Sequence, residues 1–307
     1  MKKYIFKIFY FSLLLLFCCL FIFLIDPHNF FNISKLIKDD AKIKVINRSY
    51  EATTRGNMLW KALKYRRKPC ENVIIGDSQG FDIREKLVSE LTGEEYFNFC
   101  IPGASLQTKY SIFWFVAKQI KLKKVYIEVS FINSDAHRSY NLFHFAQDYF
   151  NKPYLYFSNK EIIIDSYYNL MYALTADRRW AQNPLELKSI NFMNQISELK
   201  FKLFFGNYSY PEKSFVELKK ISDYCTNHGI ELNFIIFPNY RRVDEYLSEN
   251  GLINLREKYG TDIGAISKLY DFSNDTRISA YRNNFKDYYH INQYMSDSLT
   301  VEIWKKR

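Results

Sequence analysis

Two short blocks near opposite ends of the sequence carry the residue types that nucleophilic catalysis requires. The first is Gly76-Asp77-Ser78-Gln79-Gly80, which follows the apolar run Val73-Ile74-Ile75. The second is Asp287-Tyr288-Tyr289-His290, close to the C-terminus. A serine hydroxyl is a poor nucleophile until an imidazole takes its proton and a carboxylate holds that imidazole in the right tautomer. Asp287 and His290 can supply both from one turn of chain. Alone, a D-x-x-H spacing is more often a surface pair or a helix cap. Joined to a serine at the exit of a buried strand, it points to a triad of Ser78, Asp287 and His290 that attacks an acyl carbonyl.

Such a triad needs a scaffold that brings the two blocks together. Residues 72–75, stopped by Gly76, read as a strand buried on both faces, and 81–91 as a helix. The alternation continues with a strand at 95–99, a Pro102-Gly103 turn, a helix over about 105–120 and a strand at 124–131. A helix over 214–228 puts Phe215, Leu218, Ile221 and Cys225 on one face and stops at Gly229. A strand at 230–237, a short strand at 268–272 and a closing helix at 291–304 complete the series. Strands alternating with helices predict an α/β fold with a mostly parallel sheet covered on both faces. In such sheets ligands bind at the carboxyl ends of the strands, which is where Ser78 falls. Between about 134 and 212 the rhythm breaks into an aromatic-rich stretch, including Tyr140, Phe143, Tyr156 and Trp180. It reads as a helical insertion whose aromatics form a small core, or alternatively a lid or glycan-binding platform.

With their order considered, these blocks resemble those of the SGNH (GDSL-like) hydrolase superfamily. Its members carry the nucleophile in a GDS block after the first strand and an Asp-x-x-His block near the C-terminus. Between them, Asn98-Phe99-Cys100-Ile101-Pro102-Gly103-Ala104-Ser105 is similar to the second block, which implies that Gly103 donates a backbone N–H to the oxyanion. The third block, G-x-N-D, is represented by Phe131-Ile132-Asn133-Ser134 and keeps only Asn133, a candidate side-chain donor to the oxyanion. The resemblance covers roughly residues 70–133 and 213–305. It implies a flavodoxin-like three-layer sandwich and a serine esterase or O-acyltransferase working through an acyl-serine. No cofactor and no metal are implied. The exported, singly anchored members it resembles most suggest acyl esters of a cell-surface polysaccharide or other surface polymer as substrate. Transfer, as opposed to hydrolysis, would call for a membrane partner protein that brings the acyl group across. Two other readings stay open. Gly-x-Ser-x-Gly is also the nucleophile elbow of α/β-hydrolases, although no HGGG-type segment is present. The incomplete third block also allows a membrane-tethered glycan-binding or scaffold protein with a degraded site.

Residues 8–25 form an uncharged run whose only hydroxyls are on Tyr10 and Ser12. At about 1.5 Å per residue this nearly crosses a ~30 Å hydrocarbon core. The run ends in Phe23-Leu24-Ile25-Asp26-Pro27 with no small-residue cleavage site, which favours an anchor over a cleaved signal peptide. Lys2, Lys3 and Lys7 precede it, so the N-terminus is expected in the cytoplasm and the rest of the chain outside. The expected organisation is thus a tip and anchor at 1–25, a juxtamembrane stalk with a first helix near 58–65 across 26–69, and a catalytic domain at 70–307. At 307 residues and 48% hydrophobic, the chain is long enough for a substantial core. Its net charge of +10 is scattered, without a basic arm or a recognition module, so nucleic acid is not an expected partner. The three cysteines beyond the anchor, Cys70, Cys100 and Cys225, have no C-x-x-C spacing, and the histidines lack metal-ligand spacing.

Overall fold

The structure, a computed structural model, describes residues 2–181 and 188–305. Positions 182–187 of the expected insertion and the last two residues of the expected catalytic domain lie outside them. In chain order the elements are α1 (Lys2–Ile25), α2 (Asp39–Ile46), α3 (Tyr50–Arg67), β1 (Asn72–Gly76), α4 (Glu85–Thr92), β2 (Phe97–Cys100), α5 (Leu106–Ala117) and β3 (Lys124–Glu128). They continue with α6 (His144–Asn151), α7 (Tyr154–Ser158), α8 (Lys160–Thr175), α9 (Ile190–Phe205), α10 (Glu212–His228) and β4 (Glu231–Ile236). The chain closes with α11 (Arg241–Glu249), α12 (Ile253–Gly264), β5 (Lys268–Asp271), α13 (Thr276–Ser279) and α14 (Gln293–Trp304).

By its internal contacts the chain divides into two compact units. One comprises Met1–Lys64 and His144–Leu187, the other Tyr65–Phe143 and Lys188–Arg307. This division does not follow the boundaries expected at 25/26 and 69/70, and it splits the expected insertion between the units. The segment 26–64 is more than a spacer because it is packed: apolar residues such as Ile37, Val45, Met58 and Leu59 are buried beside a set of buried polar groups, part of which is completed by α8. Asp26 ends α1 in the left-handed region (φ 44°), and its carboxylate accepts the N–H groups of Phe30, Phe31 and Asn32 at 2.6, 3.1 and 2.7 Å. Lys42 donates to the Asp26 carbonyl and to Asn29 Oδ1. Asp165 of α8 takes hydrogen bonds from Arg48 and Arg55. His28 Nε2 lies 3.4 Å from the same carboxylate. Burial pushes His28 down to about 4, so at neutral pH it stands beside Asp165 as an uncharged ring.

The larger unit holds a five-stranded, all-parallel sheet in the order β2-β1-β3-β4-β5. The chain runs outward to one edge through β2, then returns past β1 to build β3, β4 and β5, which puts a topological switch point between β1 and β3. The strands read as near-continuous apolar runs because both faces are covered. Ile74, Tyr126 and Ile235 point to one face with Val88 of α4 and Leu299, Ile303 and Trp304 of α14. On the other face α5 packs against β1 and α10 against α5 and β4. There Tyr65, Phe97, Phe99, Phe115 and Phe143 form a chain of edge-on and tilted rings. α10 stops at Gly229 with φ 66°, as its position after the last apolar residue predicts.

Candidate active site

The candidate blocks of the sequence converge at the carboxyl edge of this sheet. Ser78 leaves β1, Gly103 leaves β2, Asn133 leaves β3 and the Asp287–His290 turn follows β5. His290 Nε2 lies 2.8 Å from Ser78 Oγ, and His290 Nδ1 lies 2.8 and 2.9 Å from the two carboxylate oxygens of Asp287. The carboxylate fixes the imidazole proton on Nδ1, which leaves Nε2 to accept the proton of Ser78. Asp287 is positioned by its own turn, since Oδ1 accepts the N–H groups of Tyr289 and His290 at 2.8 and 2.9 Å. α9 supports this turn from behind: the Ser197 carbonyl accepts from Tyr289 Oη, and Phe204 meets the Tyr289 ring edge-on at 5.1 Å. The His290 side chain remains 28% exposed, so a substrate can reach its reacting edge.

Burial by itself would raise the Asp287 carboxyl, but the facing His290 and the Tyr289 N–H outweigh it and hold Asp287 well below the usual carboxylate range. For His290, burial lowers the affinity for a proton, while the charge and hydrogen bond of Asp287, with Asp77 beyond, more than reverse this and leave it above its ordinary 6.5. His290 must be neutral to act as a base. Any reaction in which His290 serves as the base is therefore expected to slow as pH drops through a midpoint above 6.5, which a pH profile of kcat/KM with a small acyl ester would locate. Stability runs the other way. The protonated pair contributes fully below the unfolded value of 6.5 and its contribution is lost as pH rises through the higher folded value.

The nucleophile loop rests on a buried ionic cluster that the sequence reading did not anticipate. Asp77 is fully buried, and its Oδ2 accepts from Lys109 Nζ at 2.9 Å, Ser130 Oγ at 3.0 Å and Asn133 Nδ2 at 2.8 Å. Its Oδ1 takes the N–H of Gln79, closing a local turn around Ser78. Lys109 also donates to the backbone carbonyl and to Oε2 of Glu128, and Glu128 Oε2 accepts the Asp77 N–H at 2.6 Å. Burial, then the neighbouring Asp77 charge, pushes Glu128 up to about 8, so at neutral pH the cluster is close to one anion and one cation. Glu128 Oε1 is buried with no hydrogen-bond partner, a position that a neutral carboxyl tolerates better than a charged one. Gly76 has no room for a side chain, since a Cβ there would sit 2.8 Å from both Cys100 Sγ and Glu128 Oε2.

This cluster also changes two expectations. The helix expected from residue 81 starts at Glu85 instead. The side chains of Asp77 and Asn98 take over the intervening backbone, Asn98 Nδ2 donating to the carbonyls of Gly80 and Ile83 at 3.0 and 2.8 Å. The N–H groups beside Ser78 therefore belong to a turn, not to a regular helix end. Asn133 spends one Nδ2 hydrogen on Asp77, and only the other is free to face a reacting oxygen. Among the described residues, the backbone N–H groups of Ser78 and Gly103 donate to no protein acceptor. Gly103 adopts φ 78°, a conformation that a side chain would strain. No group of three metal-ligating side chains occurs among the described residues.

No family model matches the sequence, and no curated protein matches it. Among solved structures, a protein from Streptococcus pneumonia provisionally named a platelet activating factor is similar at TM-score 0.42 and 10% sequence identity, with 84% of this chain and 94% of that one covered. A likeness of that degree carries no weight in assigning function.

Proposed function

We propose that this chain is an SGNH-type serine esterase or O-acyltransferase, anchored in a membrane by α1 and acting on acyl esters of a surface polymer. The observation that carries the reading is the unbroken relay from Ser78 Oγ through His290 to Asp287, each step a 2.8 Å hydrogen bond. In this reading His290 deprotonates Ser78 as its oxygen attacks the acyl carbonyl. The negative charge that develops on the carbonyl oxygen is met by the N–H groups of Ser78 and Gly103, with the remaining Nδ2 hydrogen of Asn133 beside them. Collapse expels the alcohol, which takes its proton from His290 and leaves an acyl-serine. Water or a sugar hydroxyl then resolves that intermediate.

Two observations favour this reading over its rivals. Ser78 follows the first strand of a 2-1-3-4-5 sheet, and Asp287 and His290 share one turn, whereas the α/β-hydrolase elbow follows several earlier strands and draws acid and base from separate loops. A degraded scaffold would have no need to keep the relay aligned. The N-terminal helix supports the anchoring. Lys3–Ile25 is long and apolar enough to cross a membrane, and its side chains from Tyr4 to Phe17 are exposed rather than packed in a core. A signal sequence can pass the same test of length and composition, and the N-terminus of the mature protein, read by mass spectrometry, distinguishes the two. Acyl release from a surface-polymer ester with and without added polysaccharide acceptor tests the chemistry. Transfer requires product on the acceptor at the expense of free acid, while hydrolysis is indifferent to it.

A further inference from the structure

Helix α8 in the smaller unit is built inside out. Its buried positions are Ile162, Asp165, Ser166 and Asn169, a single helical face that is mostly polar. Its outward side carries Ile163, Ile164, Tyr167 and Leu174, the last 72% exposed. A water-soluble helix shows the opposite arrangement, with its apolar stripe turned to the core. Most of the polar inner face is paired: Asp165 takes hydrogen bonds from Arg48 and Arg55 and lies 3.4 Å from His28 Nε2, and Asn169 Nδ2 donates to the Asp165 carbonyl, although Asn169 Oδ1 is buried without a partner. No misplaced core is therefore waiting to be buried by rotation of the helix.

The position of α8 along α1 indicates what covers the apolar side. α8 packs against α1. Burial on α1 is confined to its end, with the side chains up to Phe17 exposed and Ile22 and Ile25 buried. The contact therefore falls on the last two turns, roughly 12 Å of helix at 1.5 Å per residue. With Lys7 at the inner side, the uncharged run 8–25 covers about 27 Å of a ~30 Å hydrocarbon core, so these turns occupy its outer part and end at its rim. The connecting loop shows the same feature. Ser34 Oγ bonds the Leu24 carbonyl, holding the exposed Ile33 and Leu36 beside the end of the span. Midway along α8, Tyr167 and Tyr168 meet Trp180 edge-on, and Lys160 and Arg178 are exposed at its flanks. Amphipathic rings and cations in these places suit the headgroup layer.

We propose that α8, together with the Ile33–Leu36 loop, lies in the outer interface of the bilayer with its apolar side against lipid, as a second membrane contact for the smaller unit. This rests on the reading of α1 as a retained membrane span. Both the helix and the loop are attached to the end of that span, α8 by packing and the loop by the Ser34–Leu24 hydrogen bond.

The test uses full-length protein in nanodiscs of phosphatidylethanolamine and phosphatidylglycerol, with Cys18, Cys19 and Cys70 replaced by alanine and single spin labels placed by Tyr167→Cys or Leu174→Cys. Leu14→Cys in the span and Lys220→Cys on the larger unit are the references. Collisions with oxygen, which concentrates in lipid, are compared with those of a water-soluble nickel chelate. Labels at Tyr167 and Leu174 are expected to favour oxygen several-fold more than the label at Lys220, approaching Leu14. Accessibility equal to that at Lys220, with Leu14 in lipid, overturns the proposal and leaves the anchor standing. Shielding of the α8 labels from both reagents means that a second copy of the chain covers the helix, and also overturns it. An aqueous Leu14 label removes the anchor and the proposal together. The four label positions are all exposed, and the near-ultraviolet signal of the cysteine-replaced protein before labelling checks that the fold is retained.

Discussion

Replacing His290 with alanine is expected to slow acylation of Ser78 by roughly three to six orders of magnitude, the range seen when a triad loses its base. The geometry gives the reason. Among the described residues, Ser78 Oγ has one basic neighbour in hydrogen-bond reach, His290 Nε2 at 2.8 Å, and without it the hydroxyl must ionise near its own high pKa. Asp287→Asn is expected to cost about 10⁴-fold, because an amide facing Nδ1 favours the tautomer that turns a protonated Nε2 toward the serine. The two variants separate the base from its orienting group. Burst kinetics with an activated acyl ester measure both, and an effect below about tenfold for His290→Ala would mean that some other group activates the serine.

Lys109→Met is expected to be the most damaging substitution away from the reacting atoms. It strips the cation from between Asp77 and Glu128, both fully buried, and leaves Asp77 as an uncompensated charge. Removing one partner of a buried ion pair typically costs about 3–5 kcal/mol, far above the 0–1 kcal/mol of an exposed pair. Function should suffer as well, since Asp77 fixes the Gln79 N–H next to Ser78 and holds the Asn133 amide. Urea unfolding of the full-length protein in detergent, followed by the near-ultraviolet signal of its aromatic rings, reads the first effect. A loss under about 1 kcal/mol would mean that water or proton uptake replaces the lysine.

The parts of this architecture that were legible in the sequence are those governed by local chemistry. The apolar run at β1 followed by Gly-Asp-Ser, the Gly229 stop of α10 and the Asp-x-x-His turn each announce themselves within a few residues, and the structure places all three as read. The strand ends were less legible. β3 was expected to reach residue 131 but ends at Glu128, because Ser130 and Asn133 turn their side chains to Asp77 across the sheet edge. Pairings between distant segments left weaker traces. Lys109 lies on the core side of an apolar helix, and Glu128 ends an apolar strand. Each was a charge in the wrong place, and together they could have suggested a buried pair, though not its partner Asp77. In the same way, Asp165, Ser166 and Asn169 repeat at helical spacing inside the aromatic stretch. They mark a polar inner face, but only the fold shows that Arg48 and Arg55 from the other side of the sequence fill it.

The most direct test of the central claim is to treat the full-length protein, in detergent at a pH above the His290 midpoint, with a serine-directed fluorophosphonate and locate the adduct by peptide mass spectrometry. The account predicts a single adduct on Ser78, absent from Ser78→Ala and slowed in His290→Ala to the extent argued above. An adduct on another serine, or a well-folded protein that takes up no label, would contradict it.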